Sequence, residues 1–89
     1  MDLLSRWLWS FLEKKIRVNS VAPGIVKTPL TDELFSKTTE ENIKAIAAMH
    51  PLGLGKPEDV ANLIVFLLSD QSKWITGTTH FIDGGYHIQ

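Results

Sequence analysis

The sequence predicts an α/β fold in which helices connect the strands of a parallel sheet. Apolar residues recur at helical spacing in three segments, residues 3–12, 38–50 and 57–68. Two short segments, 16–21 and 79–82, have the composition and spacing of strands. Helices that alternate with short strands are typical of a parallel sheet with helical crossovers. Because two strands make a poor sheet by themselves, we expect the fold to be incomplete within residues 1–89.

Composition excludes several classes of protein. The 89 residues are 44% hydrophobic and 21% charged, carry a net charge of −1 and include no cysteine. These values predict one globular domain at most, without disulfides or thiolate metal sites, and they disfavour disorder and nucleic-acid binding. The longest apolar run, residues 63–68, is too short to span a membrane, and the N-terminus lacks the pattern of a signal peptide. We therefore expect a cytoplasmic protein.

The first segment predicts an amphipathic helix. Its apolar stripe consists of Leu3, Leu4, Trp7, Leu8, Phe11 and Leu12. The favoured interpretation is a helix packed on a core. A helix lying on a membrane surface is the alternative, but its polar face would carry more Lys and Arg than this one does.

The middle of the chain predicts a strand, a loop and a second helix. Residues 16–21 alternate between apolar and polar, and Pro23-Gly24 ends the strand. A loop then runs to Thr31, where a short turn of helix starts. Thr38 and Glu41 fit a capping box, and Pro51 stops the helix that follows.

The last third predicts the clearest helix and the second strand. Pro57 suits the first helical position, and Glu58 and Asp59 complement the positive end of the helix. Residues 70–72 are expected to form a loop, and Asp83-Gly84-Gly85 closes the strand at 79–82.

The three histidines predict no metal site. His50 precedes Pro51 at the end of a predicted helix, where a positive charge is favourable. His80 and His87 have no evident partner at metal-ligand spacing, so we expect no zinc.

Three local patterns resemble the C-terminal portion of the short-chain dehydrogenase/reductase family. They are residues 19–24 (Asn-Ser-Val-Ala-Pro-Gly), residues 57–61 (Pro-Glu-Asp-Val-Ala), and Ile75-Thr76-Gly77 followed by Asp83-Gly84-Gly85. Each pattern is weak alone, but the three occur in the family's order, and together the resemblance covers essentially the whole chain. The resemblance implies that residues 1–89 belong to a single Rossmann-like, doubly wound parallel sheet, to which they contribute two strands and three main helices.

The resemblance also implies a cofactor, NAD or NADP, and the residues that bind it. Pro23 and Gly24 would let the backbone approach the nicotinamide ring, and the Val26 N–H would donate to its carboxamide. The Thr28 hydroxyl would bind the carboxamide or a phosphate. Residues 29–50 would cover the substrate, a small carbonyl compound or alcohol. One departure is that only Leu54 separates Gly53 from Gly55, where the family usually adds an arginine.

The family's glycine-rich turn and its catalytic Ser and Tyr-x-x-x-Lys do not occur in these residues. Tyr86 lies beyond the last strand and has no lysine four residues on, so no catalytic residue is assigned. We therefore expect no turnover from this chain alone. Two other interpretations stay open: a non-catalytic module that self-associates through the first helix and the last helix and strand, and a chain that does not fold stably by itself. The sequence determines neither the substrate nor the choice between NAD and NADP.

Overall fold

A computed structural model describes residues 2–88, which form four α-helices and a two-stranded parallel sheet. The elements are α1 (Leu3–Glu13), β1 (Ser20–Pro23), α2 (Pro29–Ser36), α3 (Glu40–Ala48), α4 (Pro57–Leu68) and β2 (Thr79–Ile82), with single 3₁₀ turns at Asp70–Ser72 and Tyr86–Ile88. The α/β prediction is confirmed. The helix count differs from the prediction, because the expected short turn of helix near Thr31 is an eight-residue helix, α2.

The two strands are neighbours although 55 residues separate them. They pair in parallel, with Ser20 opposite Thr79 and Pro23 opposite Ile82. The predicted strand at 16–21 was placed too early. Val18 N–H donates to the Thr76 hydroxyl (3.1 Å), and the Asn19 amide donates to the Ile75 carbonyl (3.1 Å). These side-chain contacts replace a strand ladder, so regular pairing begins only at Ser20.

Helix α1 forms where the sequence predicts it, but it does not pack on a core within residues 2–88. Asp2 caps it by accepting from the Ser5 N–H at 2.7 Å, and Lys15, with φ 62°, ends the helical path. Its apolar side chains face solvent, with Leu3 70% and Trp7 61% exposed. Helical periodicity identified the stripe, but the surface that covers it is not supplied by the described residues.

Helices α2 and α3 begin at threonine caps. Thr28 caps α2, and its hydroxyl accepts from the Thr31 N–H at 3.3 Å. The predicted cap of α3 was one residue too early: Thr39, not Thr38, accepts from the Asn42 N–H (3.2 Å). Thr38 accepts instead from the Asn42 side-chain amide at 2.9 Å. Two adjacent threonines offer the same cap chemistry, and backbone direction selects between them.

Helix α4 has the predicted bounds and contributes the core. Asp59 Oδ2 accepts from the Lys56 N–H at 2.8 Å, which secures the N-terminus. At the other end, the Arg17 guanidinium donates to the carbonyls of Leu67 (2.9 Å), Ser69 (3.4 Å) and Ile75 (3.2 Å). A charged side chain far away in sequence therefore fastens the C-terminus of α4 to the segment before β1.

The molecule is more open than a complete domain of its length. Its radius of gyration is 16.7 Å, whereas a compact domain of this size has about 12 Å. Leu67 is the one buried hydrophobic side chain among residues 2–88. No helix in that range combines the length and the apolar character needed to cross a membrane.

Candidate functional site

The candidate site lies at the carboxyl ends of the two strands. The loop formed by residues 24–28 follows β1, and Asp83 follows β2 directly beside it. In open α/β sheets, ligands bind in the crevice outside the carboxyl ends of the strands. The topology therefore brings together the two segments from which the sequence predicted a cofactor loop and a structural turn.

Backbone hydrogen bonds hold the loop from both sides. Gly24 N–H donates to the Ile82 carbonyl at 3.1 Å, which continues the strand ladder by one residue. Gly55 N–H donates to the Ile25 carbonyl (3.0 Å), and Lys27 N–H donates to the Gly55 carbonyl (2.9 Å). Gly55 thus forms a parallel bridge opposite Val26, and the linker before α4 fixes the course of the loop.

Val26 has one free polar group in this arrangement. The Thr31 hydroxyl lies 3.0 Å from the Val26 carbonyl and 3.0 Å from the Thr28 carbonyl, and it shares its proton between these two acceptors. The Val26 N–H has no acceptor among residues 2–88, although its neighbours at positions 24, 25, 27 and 28 all donate. The structure therefore leaves one oriented backbone donor in the loop.

Gly24 is required by the protein itself. A Cβ placed on it would lie 2.8 Å from Asp83 Cβ, 2.9 Å from Asp83 Cα and 3.0 Å from His50 Nε2. Contacts this short to backbone atoms exclude a side chain. Pro23, the last residue of β1, is exposed beside it. The sequence explained Gly24 by the approach of a cofactor, whereas the structure shows a close approach of β2.

Thr28 acts first as a helix cap. Its hydroxyl accepts from Thr31, and its own N–H donates to the Thr31 hydroxyl at 2.7 Å. The two threonines satisfy each other in a reciprocal capping arrangement. The Thr28 hydroxyl also lies 3.4 Å from the Thr31 hydroxyl, and since the Thr31 proton goes to the two carbonyls, Thr28 is the donor in this long contact.

His50 lies at the end of α3, as predicted, and it is also a buried hydrogen-bond acceptor. It is 4% exposed, and its Nε2 accepts from the Ile25 N–H at 3.2 Å. Its Nδ1 lies 3.0 Å from the Ile46 carbonyl, an acceptor that requires a proton on Nδ1. Tyr86 stacks on the ring with centroids 5.1 Å apart. The ring thus bonds both to the last turn of α3 and to the loop after β1.

His87 and His80 both have hydrogen-bond partners, which the sequence did not reveal. His87 Nδ1 lies 3.0 Å from Asp83 Oδ2, and its ring stacks on Phe81 with centroids 4.3 Å apart. His80 Nε2 lies 2.7 Å from the Thr78 hydroxyl. The spacing of four residues between Asp83 and His87 was a local signal for this pair. It was missed because residues 83–85 were interpreted as a turn only.

Asp83 is nearly buried and accepts three hydrogen bonds. Burial raises its pKa, but the His87 ring, the Gly85 N–H (3.1 Å) and the His87 N–H (3.0 Å) outweigh that effect. The pKa of Asp83 therefore lies below its ordinary value of 3.8. The ionised carboxylate anchors the turn after β2, next to Gly24.

We expect the Asp83 contacts to stabilise the fold in a pH-dependent way. Since the folded pKa is lowered, this stabilisation is complete above pH 3.8 and is lost as the pH falls through the lower folded value. Asp83→Asn should unfold more readily at neutral pH and lose part of its acid dependence. Urea midpoints measured between pH 2 and 7 report both the loss of stability and the change in acid dependence. Asp32→Asn, at an exposed position, is the control. The same pH profile in both variants would contradict the stabilising role of the Asp83 carboxylate.

A cavity of about 490 Å³ opens beside this cluster. It is lined by both strand ends, the end of α3 and the C-terminal turn, including Gly24, Met49, His50, Phe81 and His87. Within residues 2–88, no three His, Cys, Asp or Glu side chains come together as a metal site. Val26 does not line this apolar recess; it lines a second cavity of about 420 Å³, together with Gly55 and Asp83.

Comparisons with known proteins agree with this geometry. A family model described as enoyl-(acyl carrier protein) reductase matches residues 4–87. The chain belongs to the short-chain dehydrogenase/reductase family. Among curated relatives, 3-oxoacyl-(acyl-carrier-protein) reductase of Thermotoga maritima is 46% identical over 89 residues, and cyclohexanol dehydrogenase of Acinetobacter sp. is 46% identical over 77 residues. These alignments cover 99% and 85% of this chain but 35% and 28% of those proteins.

Solved structures of the family match equally well. A short chain dehydrogenase family protein from Francisella tularensis superposes with a TM-score of 0.84 at 37% identity, covering 94% of this chain and 38% of that one. 4-Hydroxyisoleucine dehydrogenase, solved with NADH, gives 0.84 at 36% identity, covering 98% and 35%. ElxO, solved with NADP, gives 0.78 at 41% identity, covering 94% and 34%. The chain thus spans about a third of the length of each of these Rossmann-fold members of the family.

Proposed function

We propose that this chain supplies the nicotinamide end of the cofactor site, and the segment that covers the substrate, in an NAD(P)(H)-dependent oxidoreductase of carbonyl compounds or alcohols. In this proposal Val26 donates its N–H to the carboxamide of the cofactor, and Pro23 and Gly24 border the ring. The Thr28 hydroxyl binds the carboxamide or a phosphate in exchange for its 3.4 Å contact with Thr31. The family's relatives include enzymes solved with NADH and with NADP.

The observation that carries the proposal is the free N–H of Val26. The carbonyls of Ile25 and Val26 and the N–H of Ile25 are engaged by Gly55, Thr31 and His50. A donor that the protein orients but does not use is suited to an acceptor on a ligand. A carboxamide oxygen is such an acceptor. The residues present therefore fit this end of the cofactor, whose part in the reaction is to donate or accept a hydride.

The test uses a hybrid in which residues 1–89 replace the matching third of the Thermotoga maritima reductase. We expect the hybrid to bind NADH or NADPH. Val26→Pro removes the N–H and should weaken binding by about fivefold, as expected for one hydrogen bond. Val26→Ala keeps the N–H and should stay within about twofold. Fluorescence titration of the reduced cofactor measures both affinities.

Two results would contradict the proposal. One is equal cofactor affinity in the Val26→Pro and Val26→Ala hybrids, and the other is a hybrid that is folded but binds neither cofactor. The 89-residue chain by itself should show no oxidation of NADH or NADPH with a panel of carbonyl compounds, since no Tyr-x-x-x-Lys occurs in it. Measurable turnover by the chain alone would overturn that expectation.

A second candidate function, a non-catalytic association module, is favoured by the exposed face of α1. Leu3, Leu4 and Trp7 are 70%, 69% and 61% exposed on one side of the helix. Apolar patches of this kind usually bury themselves against a partner. In this alternative the chain associates with a second copy of itself through α1, with α4 and β2 as a further surface.

We expect substitution of Trp7 to reduce such association. Trp7→Glu places a charge in the centre of the exposed face, whereas Ser5→Glu adds the same charge to the polar side of α1. Light scattering of the chromatographed chain should show a lower mass for Trp7→Glu than for Ser5→Glu at the same concentration. A folded monomer for the unmodified chain would exclude the association module.

A further inference from the structure

His50 connects the segment that follows the cofactor loop back to the loop itself. Its ring lies at the end of α3, yet its Nε2 accepts from the Ile25 N–H, 25 residues earlier. The start of the same segment is fastened as well, because the Thr31 hydroxyl lies 3.0 Å from the Val26 carbonyl. Both ends of the segment 28–50 are therefore hydrogen-bonded to the loop, at the consecutive residues Ile25 and Val26.

The hydrogen bonds of His50 specify one form of the ring. An N–H donor at Nε2 requires a lone pair there, and the Ile46 carbonyl at 3.0 Å requires a proton on Nδ1. The ring is therefore the neutral tautomer that carries its proton on Nδ1. The other neutral tautomer and the imidazolium each place a proton against the Ile25 N–H and break the contact.

Little of the His50 ring is open to solvent, although one edge of it lines the cavity described above. His50 is 4% exposed, Tyr86 stacks on one face, and the Gly24 backbone lies so close that a Cβ there would be 3.0 Å from Nε2. Loss of the acceptor would leave the Ile25 N–H without a partner in a partly buried position, which costs more than an average hydrogen bond contributes.

We propose that His50 is a positioning residue that aims the free N–H of Val26. The ring fixes the peptide plane before Ile25, and Gly55 fixes the plane after it by donating to the Ile25 carbonyl at 3.0 Å. That second plane contains the Val26 N–H, so its direction follows from both contacts. The His50 imidazole thereby couples the end of the segment 28–50 to the Val26 N–H, the proposed donor to the cofactor.

The local part of the inference is tested in the 89-residue chain without cofactor. Nitrogen-15 NMR of the His50 ring should show the tautomer protonated at Nδ1. His50→Phe keeps a stackable ring but removes both hydrogen bonds, and it should speed amide exchange at Ile25 and Gly55 about fivefold or more. His50→Gln offers an oxygen near the position of Nε2 and should restore most of the protection. The Gly77 amide, bonded to Val18 at the other end of the sheet, is the internal control.

Three outcomes of this experiment would overturn the inference: a ring protonated at Nε2, equal Ile25 exchange in all three proteins, or unprotected Ile25 and Gly55 amides in the unmodified chain. The consequence for the cofactor rests on the proposed function and is measured in the hybrid. There His50→Phe should weaken cofactor binding severalfold and His50→Gln should recover it. Protected amides in the chain together with a hybrid that binds no cofactor would count against the proposed function and leave the role of His50 in the loop intact.

Discussion

Gly24→Val is expected to lower the free energy of unfolding by about 3 kcal/mol, the upper part of the range for inserting atoms into a packed site. The reason is geometric. A Cβ at position 24 meets Asp83 Cβ at 2.8 Å and Asp83 Cα at 2.9 Å, so the backbone of one strand end must move. Valine adds two methyl groups to that clash, and Gly24→Ala should have a smaller effect in the same direction.

Gly55→Ala is the matched control, because a Cβ there has its nearest neighbour at 3.6 Å, which is ordinary contact. It should leave the free energy of unfolding within about 0.5 kcal/mol of that of the unmodified chain. Far-UV circular dichroism during urea unfolding measures all three variants. Equal midpoints for Gly24→Val and Gly55→Ala would show that the strand ends do not approach each other as described. The same comparison in the hybrid tests whether the loop keeps its shape when cofactor binds.

Arg17→Met should destabilise the chain by about 2 kcal/mol, since hydrogen bonds made by a charged donor contribute more than neutral ones. The guanidinium donates to the carbonyls of Leu67, Ser69 and Ile75, which end α4 and begin the approach to β2. Methionine keeps most of the apolar stem and removes every donor. Ser72 still donates to the Leu67 and Ser69 carbonyls and Asn19 to the Ile75 carbonyl, and this limits the loss.

Arg6→Met on the exposed surface of α1 is the control and should change stability by less than about 0.5 kcal/mol. Arg17→Lys keeps the charge but not the planar fork, so it should recover only part of the stability. Thermal unfolding of the three variants distinguishes these contributions. An Arg17→Met protein as stable as Arg6→Met would mean that α4 is held by its helix contacts without the guanidinium.

Local chemistry explains which elements the sequence predicted well. The bounds of α4 follow from Pro57, from the Asp59 cap and from an apolar periodicity that continues to Leu68. The strand at Thr79–Ile82 and the turn after it likewise depend on neighbouring residues. The start of β1 was misplaced because the partners of residues 17–19 lie nearly 60 positions later, where no pattern around Ile16 can reveal them.

The candidate site divides in the same way. Motifs drew attention to Pro23, Gly24, Val26 and Thr28, but they could not show which polar groups of the loop the protein itself uses. His50 lies at the helix end to which it was assigned, but its ring is buried and also accepts from the Ile25 N–H. Burial and hydrogen-bond partners are properties of the assembled chain, so the contact of His50 with the loop and the free Val26 N–H emerged only from the structure.

The sequence by itself determined the family, the α/β class, the strongest helix and the position of the loop after β1, because each depends on residue types at short, fixed spacings. The tertiary structure decided what surrounds that loop. It placed Asp83 against Gly24, Gly55 beside Val26 and His50 under Ile25, and it left α1 without a covering surface among residues 2–88. These contacts join parts of the chain 25 or more residues apart, and their partners are specified by the parallel pairing of the strands and not by any local pattern.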